Sequence, residues 1–207
     1  MYYTFFIKNN NLSIIIFNKK YIVYYIMIKY IDTFSKITLP MSNTLIVFDI
    51  DETILSFIDI NKKWWNDNYE RLLPIYKENT DEQVELLWID YVSKNKPILL
   101  DEYNFKFFLN SIRYKCEIIL LTARNEKIYE LTIQHLNECK LNIHPSRIFF
   151  SKNKGKKLQD IVNNIFPNIK NIIFIDDIEE NLISVLNVFN KKELSKYNLE
   201  LYKIKHI

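Results

Sequence analysis

The chain has 207 residues, 48% of them hydrophobic, and carries 28 Lys and Arg against 25 Asp and Glu for a formal net charge of +3. That length and apolar content can bury one full core and argue against a second full domain. The cationic residues are spread along the chain, so there is no polybasic nucleic-acid arm and no acidic tail, and charge alone nominates no partner.

The first forty residues are rich in aromatic and aliphatic side chains, but Asn18, Lys19 and Lys20 interrupt them. No apolar run reaches the ~20 residues of a spanning helix, so no membrane partner is expected. The run Tyr21 to Ile28 is followed by no small-residue cleavage site, which reads as non-secretory. Met27 and Met41 are both candidate starts. Residues 1–42 are therefore expected to be an N-terminal extension adding little before Met27, ahead of a domain over 43–207. Cys116 and Cys139 have no metal-ligand spacing and are too few for a disulfide framework, which suits buried thiols in a reducing, cytoplasmic setting.

From Leu45 onward short apolar strands alternate with amphipathic helices, the pattern of an α/β fold with a doubly wound parallel sheet. Strands are expected at Leu45 to Asp49, Cys116 to Thr122, Arg147 to Ser151, Asn171 to Asp176 and, more weakly, Leu199 to Ile204. The first four are nearly continuous apolar runs, as strands buried on both faces should be. Leu158, Ile161, Val162 and Ile165 share a helical spacing, and so do Leu182, Val185, Leu186 and Phe189. Pro167 stops the first helix, and Glu179 and Glu180 sit in the opening turn of the second, where the helix dipole favours them. Between the first two core strands, Leu55 to Lys115 exceeds what one crossover helix needs. The excess predicts a small α-helical cap insertion at about 56–114. Its clearest helix carries Phe105, Phe108, Leu109 and Ile112 and has Asp101 as N-cap.

In a doubly wound sheet, ligands bind beyond the carboxyl ends of the strands, so polar residues ending different strands converge. Here those ends read Asp49-Ile50-Asp51-Glu52-Thr53, Thr122-Ala123-Arg124, Lys154-Gly155 and Asp176-Asp177. Four such ends in this order resemble the haloacid-dehalogenase-like (HAD) superfamily, whose motifs are an apolar strand followed by Asp-x-Asp-x-Thr, a Thr or Ser, a Lys, and an acidic pair. A narrower likeness, to HAD-like proteins of intracellular bacteria, is carried by Val47 to Leu55, Trp64 or Trp65, Leu120 to Arg124, Asn153 to Gly155 and Phe174 to Asn181. It covers about residues 43 to 190.

The resemblance implies a Rossmann-like core and a phosphohydrolase using Mg2+. Asp49 would be the nucleophile that is transiently phosphorylated, and Asp51 the general acid and base that also lends its backbone carbonyl to the metal. Thr122 and Lys154 would bind the phosphoryl group, and Asp49, Asp176 and Asp177 would hold the ion. Lys154 is preferred as the motif lysine, although Lys152, Lys156 and Lys157 are near in sequence. Gly155, the chain's only glycine, suggests a backbone demand such as positive φ or close approach. Arg124 reads equally as a contact to substrate anions or as an exposed helical Arg. Trp64 and Trp65 read as packing of the insertion, and His135, His144 and His206 receive no catalytic role.

The substrate expected is a small phosphorylated metabolite. Three rivals are set against this reading: a silent binding module, a nucleic-acid end phosphatase on the same fold, and a phospho-acceptor receiver domain. A receiver would carry its acidic pair before the phosphorylated Asp, the reverse of this order. Neither the substrate's identity nor the oligomeric state is encoded in readable form.

Overall fold

The computed structural model describes residues 3–9, 12–19, 22–190 and 196–206, with backbone alone before residue 28. Its strands are β1 (Tyr3–Asn9), β2 (Leu12–Lys19), β3 (Ile22–Ile31), β4 (Thr44–Phe48), β5 (Leu55–Ser56), β6 (Ile98–Leu99), β7 (Glu117–Thr122), β8 (Ile148–Phe150), β9 (Asn171–Asp176) and β10 (Asn198–Ile204). Its α-helices are α1 (Lys62–Tyr76), α2 (Thr80–Lys94), α3 (Glu102–Ile112), α4 (Tyr129–Glu138), α5 (Lys154–Asn164) and α6 (Glu179–Phe189). All five strands expected from the apolar runs are present, with ends shifted by a residue or so.

Among the described residues the main sheet has the order β1-β2-β3-β10-β9-β4-β7-β8. From β3 to β8 every pairing is parallel, while β1 and β2 add an antiparallel meander outside β3. The architecture is therefore α/β, with a mostly parallel sheet covered on both faces. Successive side chains point to opposite faces of a strand, and in β4 both sets are buried. Leu45 and Val47 join Leu158, Ile161 and Val162 of α5 and Leu182, Val185 and Leu186 of α6. Ile46 and Phe48 join Phe105, Phe108 and Ile112 of α3 and Leu136 of α4. Each fully buried aliphatic or aromatic side chain of this kind contributes about 1.5–3 kcal/mol.

Three findings differ from the sequence reading. First, α3 packs on the sheet, so the cap is shorter than 56–114. The insertion leaves the core at β5 and returns at β6, which pair antiparallel through Leu55↔Leu99 and Ser56↔Ile98, and its body is the α1–α2 pair. A small core of Phe57, Ile60, Trp88 and Val92 joins the cap to Ile128, just before α4, with Trp64 packed against it. Second, Asp101 does not cap α3 with its side chain. It stands at φ 45° and its carboxylate accepts from Thr33 Oγ1 at 2.7 Å and Phe34 N at 2.8 Å, pinning the preceding segment. Third, Ile165 lies past the end of α5 and is exposed.

The expected extension is continuous with the domain. β10 pairs with β3 through Ile28 to Ile31, and Ile28, Phe34 and Ile37 are buried. Phe34 lies 4.7 Å from Phe105 and 6.0 Å from Phe48, centroid to centroid. Gly155 answers to close approach rather than positive φ: a Cβ there would lie 2.3 Å from the Ser184 backbone carbonyl oxygen of α6.

Gly155→Ala is accordingly expected to lower stability by about 1–3 kcal/mol in urea unfolding, the usual cost of overpacking; an unchanged midpoint would mean that α5 and α6 can separate freely. Deleting residues 1–26 removes the β2 pairing, including Ser13↔Ile28 and Leu12↔Lys29, but keeps the β10 pairing of Ile28 to Ile31, and should leave a cooperative thermal transition. Phe34→Ala should cost about 3–5 kcal/mol by the same measurement.

Candidate active site

Strand order reverses between β4 and β9, since β4 leads to β7 on one side while β9 and β10 lie on the other. At such a switch point the loops diverge above and below the sheet and leave a crevice at the carboxyl ends. Asp49 follows β4 directly, with its N–H donating to Ile175 O at 3.0 Å, and Asp176 ends β9 beside it. Lys154, the first residue of α5, reaches over the same edge. Its Nζ lies 2.6 Å from Asp49 Oδ1 and 2.7 Å from Asp176 Oδ2, with all three side chains almost fully buried.

Asp177 completes the cluster. Carboxylate oxygens of Asp49, Asp176 and Asp177 lie within 4.8 Å of one another, the one such acidic group among the described residues. Asp176 accepts from Ile178 N at 2.8 Å and from Asn181 Nδ2 at 3.0 and 3.2 Å in addition to Lys154, so it braces the turn leading into α6 while facing the cluster. Asp177 is more open, with its N–H donating to Thr53 Oγ1 at 3.0 Å and its Oδ1 in only a long 3.4 Å contact with that hydroxyl. Thr53 thereby ties the loop after β4 to the loop after β9.

Burial pushes Asp49 well above the ordinary carboxylate range. Lys154 opposes that shift, and the charges of Asp176, Asp177 and Asp51 add to it. Burial, then the Asp176 charge, pushes Asp177 up to about 7. Burial alone would lower Lys154, but Asp49 and Asp176 outweigh it and hold the ammonium above its usual value. The cluster has more carboxylates than its one buried cation can neutralise. A hard divalent cation prefers oxygen donors of this kind, so the donor set fits one.

Thr122, at the end of β7, is fully buried, and its Oγ1 accepts from Arg124 N at 3.1 Å. The neighbouring lysines are occupied elsewhere: Lys152 pairs with Glu85 at 2.9 Å, Lys156 with Asp160 at 3.0 Å, and Lys157 lies over the Phe149 ring. Lys154 is thus the lysine that geometry brings to the acidic cluster.

Arg124 is neither exposed nor aimed at open space. Its side chain is 1% exposed, and it grips Asp51 with two parallel bonds, Nε to Oδ2 at 2.8 Å and Nη2 to Oδ1 at 2.7 Å. Its Nη1 donates to Thr132 Oγ1 at 3.2 Å and meets His135 Nδ1 at 3.1 Å. His135, which sequence reasoning set aside, continues the chain through Nε2 to Val92 O of α2 at 3.1 Å. Nothing in its spacing marks it, because its partners come from Arg124 and from the cap. Trp64 and Trp65 stack edge-on at 5.6 Å, and Trp65 lies 6.3 Å from Trp88, so they pack the cap as expected.

No family model matches the chain, and no curated protein matches it either. Solved structures do. The class C acid phosphatase of Bacillus anthracis is 15% identical over 79% of this chain and 67% of its own, with a TM-score of 0.47. The HAD domain of the effector protein Lem4 from Legionella pneumophila is 16% identical over 80% of this chain and 86% of its own, with a TM-score of 0.44.

His135 supplies a pH prediction. Val92 O can only accept, so Nε2 carries the proton and Nδ1 accepts from Arg124. Burial, then the Arg124 charge, lowers its pKa from 6.5 to about 4. The unfolded chain takes up this proton near 6.5 and the folded one only near 4, so the stability it confers is complete above 6.5 and is lost as pH falls toward 4. His135→Gln can keep both bonds without titrating. Urea unfolding should show the wild type losing up to about 3 kcal/mol relative to that variant between pH 6.5 and 4; parallel curves would show that His135 titrates normally.

Proposed function

We propose that this protein is a Mg2+-dependent phosphomonoester hydrolase of the HAD type, acting on a small phosphorylated substrate through transient phosphorylation of Asp49. The observation that carries the reading is the meeting of Lys154 with Asp49 and Asp176, and of both with Asp177, at the sheet's switch point. Asp49, Lys154 and the Asp176–Asp177 pair are far apart in sequence and come from the ends of different elements.

A phosphate dianion entering an acidic cluster meets repulsion of order 4 kcal/mol per pair of like charges at 4 Å and an effective dielectric of 20. One ammonium does not offset that. Asp49, Asp176 and Asp177, with the backbone carbonyl of Asp51, would hold Mg2+, which when bound neutralises phosphoryl oxygens and aligns the ester with its attacker. Asp49 attacks phosphorus, and Asp51 protonates the leaving oxygen and then takes a proton from the water that releases phosphate. Lys154 has three N–H donors and spends two on Asp49 and Asp176, leaving one for a phosphoryl oxygen. Thr122 Oγ1 accepts from Arg124 N, so its own hydrogen is left to donate. The cap helix α2 brings Trp88 and Val92 over the Arg124 side of the site, which favours a small substrate over a polymer. Two free cysteines, and the absence of any helix long and apolar enough to cross a membrane among the described residues, support a cytoplasmic setting as part of this reading.

The test is hydrolysis by the full chain with and without Mg2+, over nucleotides, sugar phosphates, phosphorylated oligonucleotides and nitrophenyl phosphate. Turnover is expected with Mg2+ on small esters and should fall about 10^4-fold or more in Asp49→Asn. Activity that survives metal removal or Asp49→Asn would overturn the mechanism. Turnover confined to oligonucleotides would overturn the substrate class, and none at all on any ester would point to a binding module.

A further inference from the structure

Arg124 is a buried cation whose surroundings consist of acceptors already fixed in that role. Thr132 Oγ1 gives its own hydrogen to Ile128 O at 3.0 Å, so toward Arg124 it can only accept. His135 Nε2 is committed as a donor to Val92 O, so its Nδ1 can only accept. The remaining partners are both oxygens of Asp51, and the guanidinium lies 5.4 Å from the centre of the Trp88 ring. Four of five N–H donors are therefore spent inside the protein, in a fork geometry that a lysine cannot reproduce. Such an arginine has little left to offer a substrate anion. What it does is hold the Asp51 carboxylate in one plane. Each carboxylate oxygen keeps a second lone pair, and the Asp51 side chain is 31% exposed while Arg124 is 1% exposed, so the unspent side is the one open to solvent.

The same network reaches the cap. Val92 and Trp88 belong to α2, and Glu85, one turn earlier on that face, pairs with Lys152 of the loop between β8 and α5. Three residues at i, i+3 and i+7 thus fasten one face of α2 to the region that holds the acidic cluster, and two of them do so through Arg124 and His135.

Resting on the phosphatase reading, we infer that Arg124 is a positioning residue: it orients Asp51 toward the leaving oxygen, and the chain Asp51–Arg124–His135–Val92 makes that orientation depend on the docking of cap helix α2. An acid held by an arginine and set by a docked lid is aligned only when the lid is seated.

The experiment uses full-length wild type, Arg124→Lys, Arg124→Ala, His135→Phe, His135→Gln and Asp51→Asn, each checked for a folded circular-dichroism spectrum. kcat and KM are measured with Mg2+ on nitrophenyl, phenyl and methoxyphenyl phosphate, which share a shape but differ in leaving-group acidity. Asp51→Asn should lose most on the poorest leaving group, as loss of an acid requires. Arg124→Lys and Arg124→Ala should follow the same slope, losing ten- to a hundredfold on methoxyphenyl phosphate and less than about threefold on nitrophenyl phosphate, with KM within about threefold. His135→Phe should show a weaker version, and His135→Gln should recover most of it. Loss equal across the three esters, or a tenfold rise in KM, would overturn the positioning role in favour of substrate binding.

The second readout is hydrogen exchange of α2 amides without substrate. Exchange should be faster in Arg124→Ala and His135→Phe than in wild type; unchanged exchange would overturn the coupling. If the wild type cleaves none of the esters, the phosphatase reading fails by itself, and the exchange data still decide whether Arg124 and His135 hold the cap.

Discussion

Three carboxylates crowded at the ends of two adjacent strands repel one another, and the buried ammonium of Lys154 is what lets them stay there. Removing either partner of such a pair leaves an unpaired buried charge, at a cost of about 3–5 kcal/mol. The need for Lys154 at that spot sets other features of the fold. It must enter from the first turn of α5, and α5 must lie tight against α6 for its apolar face to cover Leu45 and Val47. That approach leaves no room for a side chain at residue 155, where the Ser184 carbonyl oxygen stands. The only glycine in the chain follows the site lysine for that reason.

The centre of the core was legible because β4, β7 and β9 are buried on both faces, so an apolar run and a strand are the same thing there. The strand ends were legible because their polar residues stand out at the close of those runs. Other features depend on tertiary context. The Phe105, Phe108 and Ile112 spacing identifies a helix but not the surface it covers, and it took the position of Phe34 and Phe48 to assign α3 to the sheet. Asp101 has the composition of an N-cap, yet Thr33 and Phe34 claim its carboxylate. β3 was not legible, because a strand that joins a sheet edge by pairing with β10 needs a partner 173 residues away, as Ile28 and Leu201 show. The role of Arg124 was half visible: its place after Thr122 marks it for the site, but nothing local says whether it faces a ligand or another side chain.

The site and the cap are built as one electrostatic unit. The acidic cluster lies on the Lys154 side, and Asp51 looks away from it to Arg124, so the two aspartates of the first motif sit in different charge environments although one residue separates them. Glu52, the residue after the pair, stands at φ 55°, a left-handed turn that returns the chain to β5. Such a conformation costs a non-glycine residue about 1–2 kcal/mol, and the hydrogen bonds of the turn from Ile50 to Leu55 offset it.

All three tryptophans of the chain, Trp64, Trp65 and Trp88, lie on the two cap helices. They stack in sequence from α1 to α2, and the last of them lies against the Arg124 guanidinium. Intrinsic indole fluorescence of this protein is therefore an optical signal from the lid alone. The sheet contributes none of it, so a change in indole emission under native conditions reports a change in the lid's packing or surroundings, with no label to be added.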